Sequence, residues 1–235
     1  APVSFEVTRP DLGEDGQILH SLINKPIPYD KIITHTTPDL WPNITNQEYG
    51  CYKIGYTVWE TSKIHPIWTN ACDDANEIWL PCDWNIDVFK ESGVRKPLYK
   101  VPHAINVPNM DEIPDFNLDS ISPDTFIFYS IFQWQERKNP YALITSFMAE
   151  FKPADDVVLV LKTYKNNQGD DRQLIRDMVL EFRKYLTLDY YPKMFLIVEN
   201  MSHSSVMALH KRGDCFVLLQ RSEGWGLPHF EAAAC

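Results

Sequence analysis

The residues best suited to chemistry lie near the end of the sequence, in Gln220-Arg221-Ser222-Glu223-Gly224-Trp225-Gly226-Leu227-Pro228 followed by Phe230-Glu231-Ala232-Ala233-Ala234. Gly224 and Gly226 flank Trp225, and glycines let a backbone come close to a ligand. The unpaired N–H groups at the start of the helix expected over 230–234 attract negative charge, as a diphosphate requires. Glu223 and Glu231 stand eight positions apart, one in the loop and one in the first turn of that helix, a spacing that lets both face one pocket. A pair of carboxylates suits the hydroxyls of two sugars. Taken singly, Glu231 reads as a first-turn acid complementing the helix dipole, worth ~0.3–1 kcal/mol, and Glu223 as a loop acid.

Two halves must position these groups. They separate where Val107-Pro108-Asn109-Met110-Asp111-Glu112-Ile113-Pro114-Asp115-Phe116 runs into Ser120-Ile121-Ser122-Pro123-Asp124, a stretch with prolines, acids and no sustained periodicity. The expected organisation is a domain over 1–107, a linker over 108–123 and a second domain over 124–235. Strands are expected at 31–34, 52–58, 77–80 and 98–101, with a helix at 84–91 closed by Ser92-Gly93. The second half repeats the rhythm, with strands at 125–129, 157–162, 194–198 and 215–219 and helices at 140–151, 168–186 and 204–212. Asn139-Pro140 and Ser202-His203-Ser204-Ser205 are helix-start signals. Such alternation implies α/β architecture, with parallel sheets covered on both faces in two Rossmann-like domains and ligands at the C-terminal strand ends.

The formal net charge of −10 repels nucleic acid and anionic lipid unless a basic patch overrides it. The densest basic clusters, Gln135-Glu136-Arg137-Lys138 and His210-Lys211-Arg212, are long enough for one phosphate and too short to track a backbone. Five cysteines, odd in number, widely spaced and without a Cys-x-x-Cys pair, indicate neither a disulfide framework nor a zinc site. A reducing cytoplasm fits them. The longest apolar stretch, 157–161, is far below the ~18 residues of a transmembrane helix, so a soluble or membrane-peripheral protein is expected. Asp73-Asp74, Asp155-Asp156 and Asp170-Asp171 are adjacent pairs, not Asp-x-Asp, and no metal is expected.

The run Ser222-Glu223-Gly224-Trp225-Gly226-Leu227-Pro228-His229-Phe230-Glu231 resembles the Glu-x7-Glu signature of retaining GT-B glycosyltransferases of family four (glycosyl transferases group 1). The resemblance implies two Rossmann-like domains of GT-B type, both incomplete here: an opening strand and glycine-rich loop are expected before residue 1, and further elements after 235. It implies a nucleotide-diphosphate sugar as donor substrate, a carbohydrate or other hydroxyl acceptor, and no required cofactor. Glu231 would bind the donor ribose and Glu223 the transferred sugar. The segment from Ser130 to Pro140 resembles the diphosphate-binding loop, with Lys138 as the matching lysine and Arg137 in place of an arginine that relatives carry a few residues earlier. Leu161-Lys162-Thr163 resembles the strand end facing the donor, with Lys162 as donor ligand, and Glu199-Asn200-Met201-Ser202 the base-contacting segment. Gly224, Trp225, Gly226 and Leu227 complete the donor-binding set.

The first half resembles the acceptor domain. His35 ends its first expected strand, and Trp59-Glu60 stands where many relatives carry a histidine, so His35, Trp59 and Glu60 are the acceptor-cleft candidates. Seven tryptophans suit sugar stacking, with Trp79 expected in the core. By this resemblance the diphosphate leaves from the face the acceptor enters, stabilised by Lys138, Arg137 and the N–H groups of 224–227. Incomplete sheets with open edges lead to the expectation of a homodimer with little activity. Two other classes fit parts of the pattern: a nicotinamide oxidoreductase, which the sequence opposes by lacking Gly-x-Gly-x-x-Gly after a strand, and a non-catalytic nucleotide- or carbohydrate-binding module.

Overall fold

The computed structural model describes residues 17–18, 21–22, 25, 28–46, 48–105, 109–118, 121–165 and 171–235. The expected helix start at 168–170, Asn106, Val107 at the end of the first expected domain, and the linker positions 108 and 119–120 lie outside them. The chain divides into two compact units, 1–104 and 105–235.

Unit 1 holds a parallel sheet of β1 (Lys31–His35), β2 (Tyr52–Tyr56), β3 (Glu77–Leu80) and β4 (Leu98–Lys100), in the order β1-β2-β3-β4. Helices α1 (Trp41–Thr45), α2 (Pro66–Ala71) and α3 (Asp83–Glu91) connect them. Right-handed crossovers that always step the same way place every connector on one face. That face buries Trp41, Ile64, Ile78, Leu80, Val88 and Phe89. Trp41 lies flat on the backbone of β2, where a Cβ on Gly55 would stand 2.3 Å from its ring. On the other face Ile33, Tyr52 and Tyr99 are 40–52% exposed while Ile54 among them is buried, so this face is open to solvent in part.

Unit 2 holds β5 (Phe126–Gln133), β6 (Val157–Tyr164), β7 (Met194–Ile197) and β8 (Cys215–Phe216), also parallel, in the order β7-β6-β5-β8. The chain first winds outward through α4 (Pro140–Glu150) and α5 (Asp171–Leu186), then returns through α6 (His203–Arg212) to β8 and α7 (Leu227–Ala234). The reversal puts helices on both faces. Leu143, Ile144, Phe147, Leu159, Leu161 and Ile175 pack on one side, and Ile127, Tyr129, Val158, Val160 and Leu209 on the other. The central strand β6 is consequently buried at six successive positions, the near-continuous apolar run such strands need.

Several boundaries differ from those expected, each for a tertiary reason. Ser130 to Gln133 are strand, not loop, because β5 pairs with β6 in unbroken register from Phe126↔Val157 to Gln133↔Tyr164. The last strand is shorter, since β8 pairs only through Phe128↔Cys215 and Tyr129↔Phe216. Ser202 caps α6, its hydroxyl accepting from the Ser205 N–H at 3.1 Å, whereas Asn139 takes the left-handed conformation (φ 52°) and makes no side-chain cap. Helix α7 begins at Leu227, with Gly226 as a left-handed N-cap (φ 82°). Glu231 therefore lies in the second turn, beyond the reach of a first-turn dipole effect. In the stretch expected as a linker, Ile113 is buried against Met207 and Ala208, and its carbonyl accepts from Lys211 Nζ at 2.9 Å.

Candidate functional site

In unit 2 the strand order reverses between β5 and β8, and the loops leaving these neighbours diverge to opposite faces, opening the crevice where doubly wound sheets bind ligands. Both loops carry the residues singled out by the sequence. The loop after β5 ends in a 3-10 turn over Glu136–Lys138. The loop after β8 runs from Val217 to Gly226. A backbone bond from the Arg221 N–H to the Arg137 carbonyl (2.7 Å) pins them together, and Arg137 Nη1 donates to the Ser222 carbonyl at 3.4 Å.

Across this junction the Lys138 ammonium contacts Glu223 Oε2, and Arg137 Nη1 lies 3.7 Å from the same oxygen. Lys138 is buried to 8% exposure, so little water competes for its charge. Two cations about one carboxylate leave a net positive charge beside the N-terminus of α7, where Pro228 has no N–H and the His229 N–H donates to the Gly226 carbonyl at 2.9 Å, so any donors for an anion come from the residues before them. Gly224 and Gly226 are buried in this turn. A Cβ on Gly226 would stand 2.8 Å from His229 Nδ1 and 3.4 Å from Glu223 Cγ, so glycine is required both by φ and by space. Trp225 stacks on Phe230 at 4.5 Å and 9°, while Leu227 is exposed at the first position of α7.

The other donor-side candidates sit on neighbouring elements. Lys162 lies on β6 in register with Ile131 and Ile197, nearly buried, with its ammonium 5.8 Å from the Tyr164 ring. Burial lowers its pKa, and the Glu199 carboxylate opposes that shift. Glu199 itself contacts Arg172, whose hydrogen bond holds its carboxyl below the usual range. Glu231 does not join Glu223. Its Oε2 faces His210 Nε2 at 3.9 Å, and burial raises its pKa.

In unit 1, His35 ends β1 in register with Tyr56, which pairs with Trp79, which pairs with Tyr99. Paired residues of parallel strands share a face, so these four form an aromatic row on the face opposite α1 to α3, at the C-terminal strand ends. His35 stacks on Tyr56 at 4.4 Å and on His103 at 5.4 Å. The Tyr56 hydroxyl is 2.9 Å from the Val101 carbonyl and 2.8 Å from His103 Nδ1. It has one hydrogen, and the carbonyl can only accept, so His103 donates from Nδ1. Burial and the neighbouring His35 lower the pKa of His103.

Trp59 lies elsewhere in the unit, against Trp68 (4.5 Å), with Asn85 bonding both its backbone N–H and carbonyl at 3.0 and 3.1 Å and its indole donating to the Lys63 carbonyl. Glu60 follows it, half-buried. Tyr56, Tyr99, His103 and Tyr129 carry no signal of their own in the sequence, His210 stood out there only within the basic cluster His210-Lys211-Arg212, and Trp79 was expected in the core. Register brings the first group together, and no spacing along the chain encodes register.

A cavity of about 470 Å³ lies between α5 and β7, lined by Arg172, Gln173, Arg176, Arg183 and apolar residues. None of the candidates lines it, and size alone does not mark the site. Among the described residues no helix is long and apolar enough to cross a membrane. No group of three or more His, Cys, Asp or Glu side chains there is gathered to hold a metal ion.

This α/β fold is that of GT-B glycosyltransferases. The chain is similar to the trehalose-6-phosphate protein from E. coli bound with UDP-2-fluoro glucose (TM-score 0.65, 9% identity, covering 93% of this chain and 58% of that one). It is also similar to sucrose-phosphate synthase from Thermosynechococcus elongatus (TM-score 0.64, 14% identity, 94% and 56%). No protein-family model matches it. Among curated proteins, uncharacterized protein 356 of Sulfolobus islandicus rod-shaped virus 1 is 21% identical over 180 residues, 76% of this chain and 48% of that protein. The chain thus spans between about half and three fifths of the length of these relatives.

Proposed function

We propose that this chain carries the donor site and part of the acceptor side of a retaining, family-four GT-B glycosyltransferase that moves a hexose from a nucleotide-diphosphate sugar to a hydroxyl acceptor. The observation that carries the reading is the meeting of Lys138 and Glu223 across the strand-order reversal, beside the N-terminus of α7. A diphosphate laid there takes the Lys138 ammonium from Glu223, with Arg137 and the N–H groups of 224–227 completing its shell. Glu223, released, is set against the transferred sugar, and Glu231 takes the donor ribose.

Charge developing on the departing diphosphate meets donors fixed before the reaction begins, the arrangement that lowers a barrier most effectively. Lys162 lies one strand further out, where a nucleoside extending from the diphosphate passes. On the acceptor side, the His35-Tyr56-Trp79 row offers aromatic faces on which a sugar ring stacks.

Calorimetric titration with UDP, ADP, NAD and free hexoses tests the reading. Micromolar binding of a nucleoside diphosphate that Lys138→Ala weakens at least tenfold is the expected result. Tight binding of NAD alone would support an oxidoreductase, and of free sugar alone a lectin-like module. Equal affinity of wild type and Lys138→Ala for every nucleoside diphosphate would overturn the assignment.

A further inference from the structure

Tyr129 and His210 are buried polar side chains that the reaction proposed above does not use. Tyr129 points from β5 toward α6, its ring seated on Gly213, where a Cβ would come within 2.2 Å, and edge-on to Phe216 at 5.3 Å. Its hydroxyl is 3.0 Å from Nδ1 of His210, whose side chain is fully enclosed. Burial and the thiols of Cys235 and Cys215 push the phenol well above its ordinary pKa, so it keeps its hydrogen.

Among the described residues that hydrogen has no acceptor but Nδ1, which places the imidazole proton on Nε2. Burial, with His203 adding to it, drives His210 down to about 4, so the ring is neutral near pH 7. Nε2 is itself buried without a hydrogen-bond partner and faces Glu231 Oε2 at 3.9 Å. The opposite tautomer would strand the phenolic hydrogen and turn a lone pair toward the carboxylate. At 3.9 Å the contact is too long for a hydrogen bond, and a shift of about 1 Å completes it. The other titratable groups acting on Glu231 and its surroundings are His203, at the start of α6, and Cys235.

We infer that Tyr129 and His210 form a positioning relay for Glu231, in which the His210 Nε2–H takes one carboxylate oxygen and leaves the other directed at the ribose hydroxyls of the donor nucleotide. This rests on the ribose role proposed for Glu231. Second partners of this kind commonly fix the orientation of a ligating side chain.

Nitrogen-15 NMR of histidine-labelled protein reads the tautomer directly. A neutral Nε2–H pattern for His210 is expected, shifting in Glu231→Gln and becoming a tautomer mixture in Tyr129→Phe, which removes one oxygen and keeps the packing. In parallel, Tyr129→Phe and His210→Phe should weaken UDP about three- and tenfold, while 2′,3′-dideoxy-UDP binds them as it binds the wild type. An Nδ1–H tautomer, or equal losses for the two nucleotides, overturns the relay. If the wild type binds no nucleoside diphosphate, the ribose assignment falls, and the NMR response to Glu231→Gln alone decides whether His210 holds that carboxylate.

Discussion

Both units are four-stranded parallel sheets, yet the chain winds through them differently. In unit 1 every step goes the same way, so α1 to α3 share one face and the other shows Ile33, Tyr52 and Tyr99 to solvent while Ile54 is buried. In unit 2 the direction reverses at β5, both faces are covered, and the reversal sets the loops after β5 and β8 side by side, where doubly wound sheets bind ligands. The second arrangement gathers charge: Lys138, Arg137 and Glu223 are held at one point by a backbone bond between the loops. The first gathers ring faces, because in-register positions of adjacent strands repeat the same side across the sheet. A doubly wound sheet therefore suits an anion, and an open face suits a flat apolar surface such as that of a sugar.

The largest expected effect tests the two-sided core. Leu159→Ala, at a fully buried position of β6, should cost ~2–5 kcal/mol by urea denaturation, and a loss below ~1 kcal/mol would contradict a tightly packed double layer. Next comes the crevice. Lys138→Ala should lower transfer at saturating donor by about 10²–10³-fold, as removal of a preorganised donor does, while His35→Ala on the aromatic row should act mainly on acceptor KM. Similar kcat losses in the two variants would erase the distinction between the units. Glu223→Gln separates binding from chemistry: with Lys138 relieved of its partner, diphosphate affinity should hold or rise while turnover falls at least tenfold.

The pH dependence follows from His210. Its folded pKa is near 4 against 6.5 unexposed to burial, so as pH falls the unfolded chain binds the proton first. Unit 2 should keep its full stability above about 6.5 and lose up to ~3 kcal/mol on the way to pH 4, at about 1.4 kcal/mol per unit. Glu231, whose pKa is raised, acts in the opposite sense. His210→Phe should flatten the decline, and an unchanged slope in thermal melts would assign it to other groups. Gly226→Ala should cost ~1–2 kcal/mol for its left-handed backbone, with diphosphate binding weakened by the clash at His229. The smallest effect belongs to the open face, where Ile33→Ala should change stability by less than ~0.5 kcal/mol. A larger loss would mean that this face is covered.

Much was legible along the chain. The alternation of apolar strands and helices fixed the α/β class, since periodicities of 2 and 3.6 residues are local properties, and glycine flanking Trp225 with acids at Glu223 and Glu231 marked the loop after β8. A basic pair before Asn139-Pro140 marked the loop after β5. The length of β5 was missed although Ile131 and Phe132 favour strands, because Ser130 to Gln133 were assigned to a loop by resemblance, and pairing with β6 decided that they are strand. Nor were the partners of the two glutamates. Equal in type and close in sequence, they diverge because α7 begins at Leu227, which turns Glu231 toward His210 on α6 while Glu223 stays in the loop beside Lys138. The sequence by itself determined which side chains were available and the elements that carry them. Tertiary structure alone decided which of them meet, because ion pairs, tautomers and aromatic rows depend on strand order and register, and neither is written in the spacing of residues along one chain.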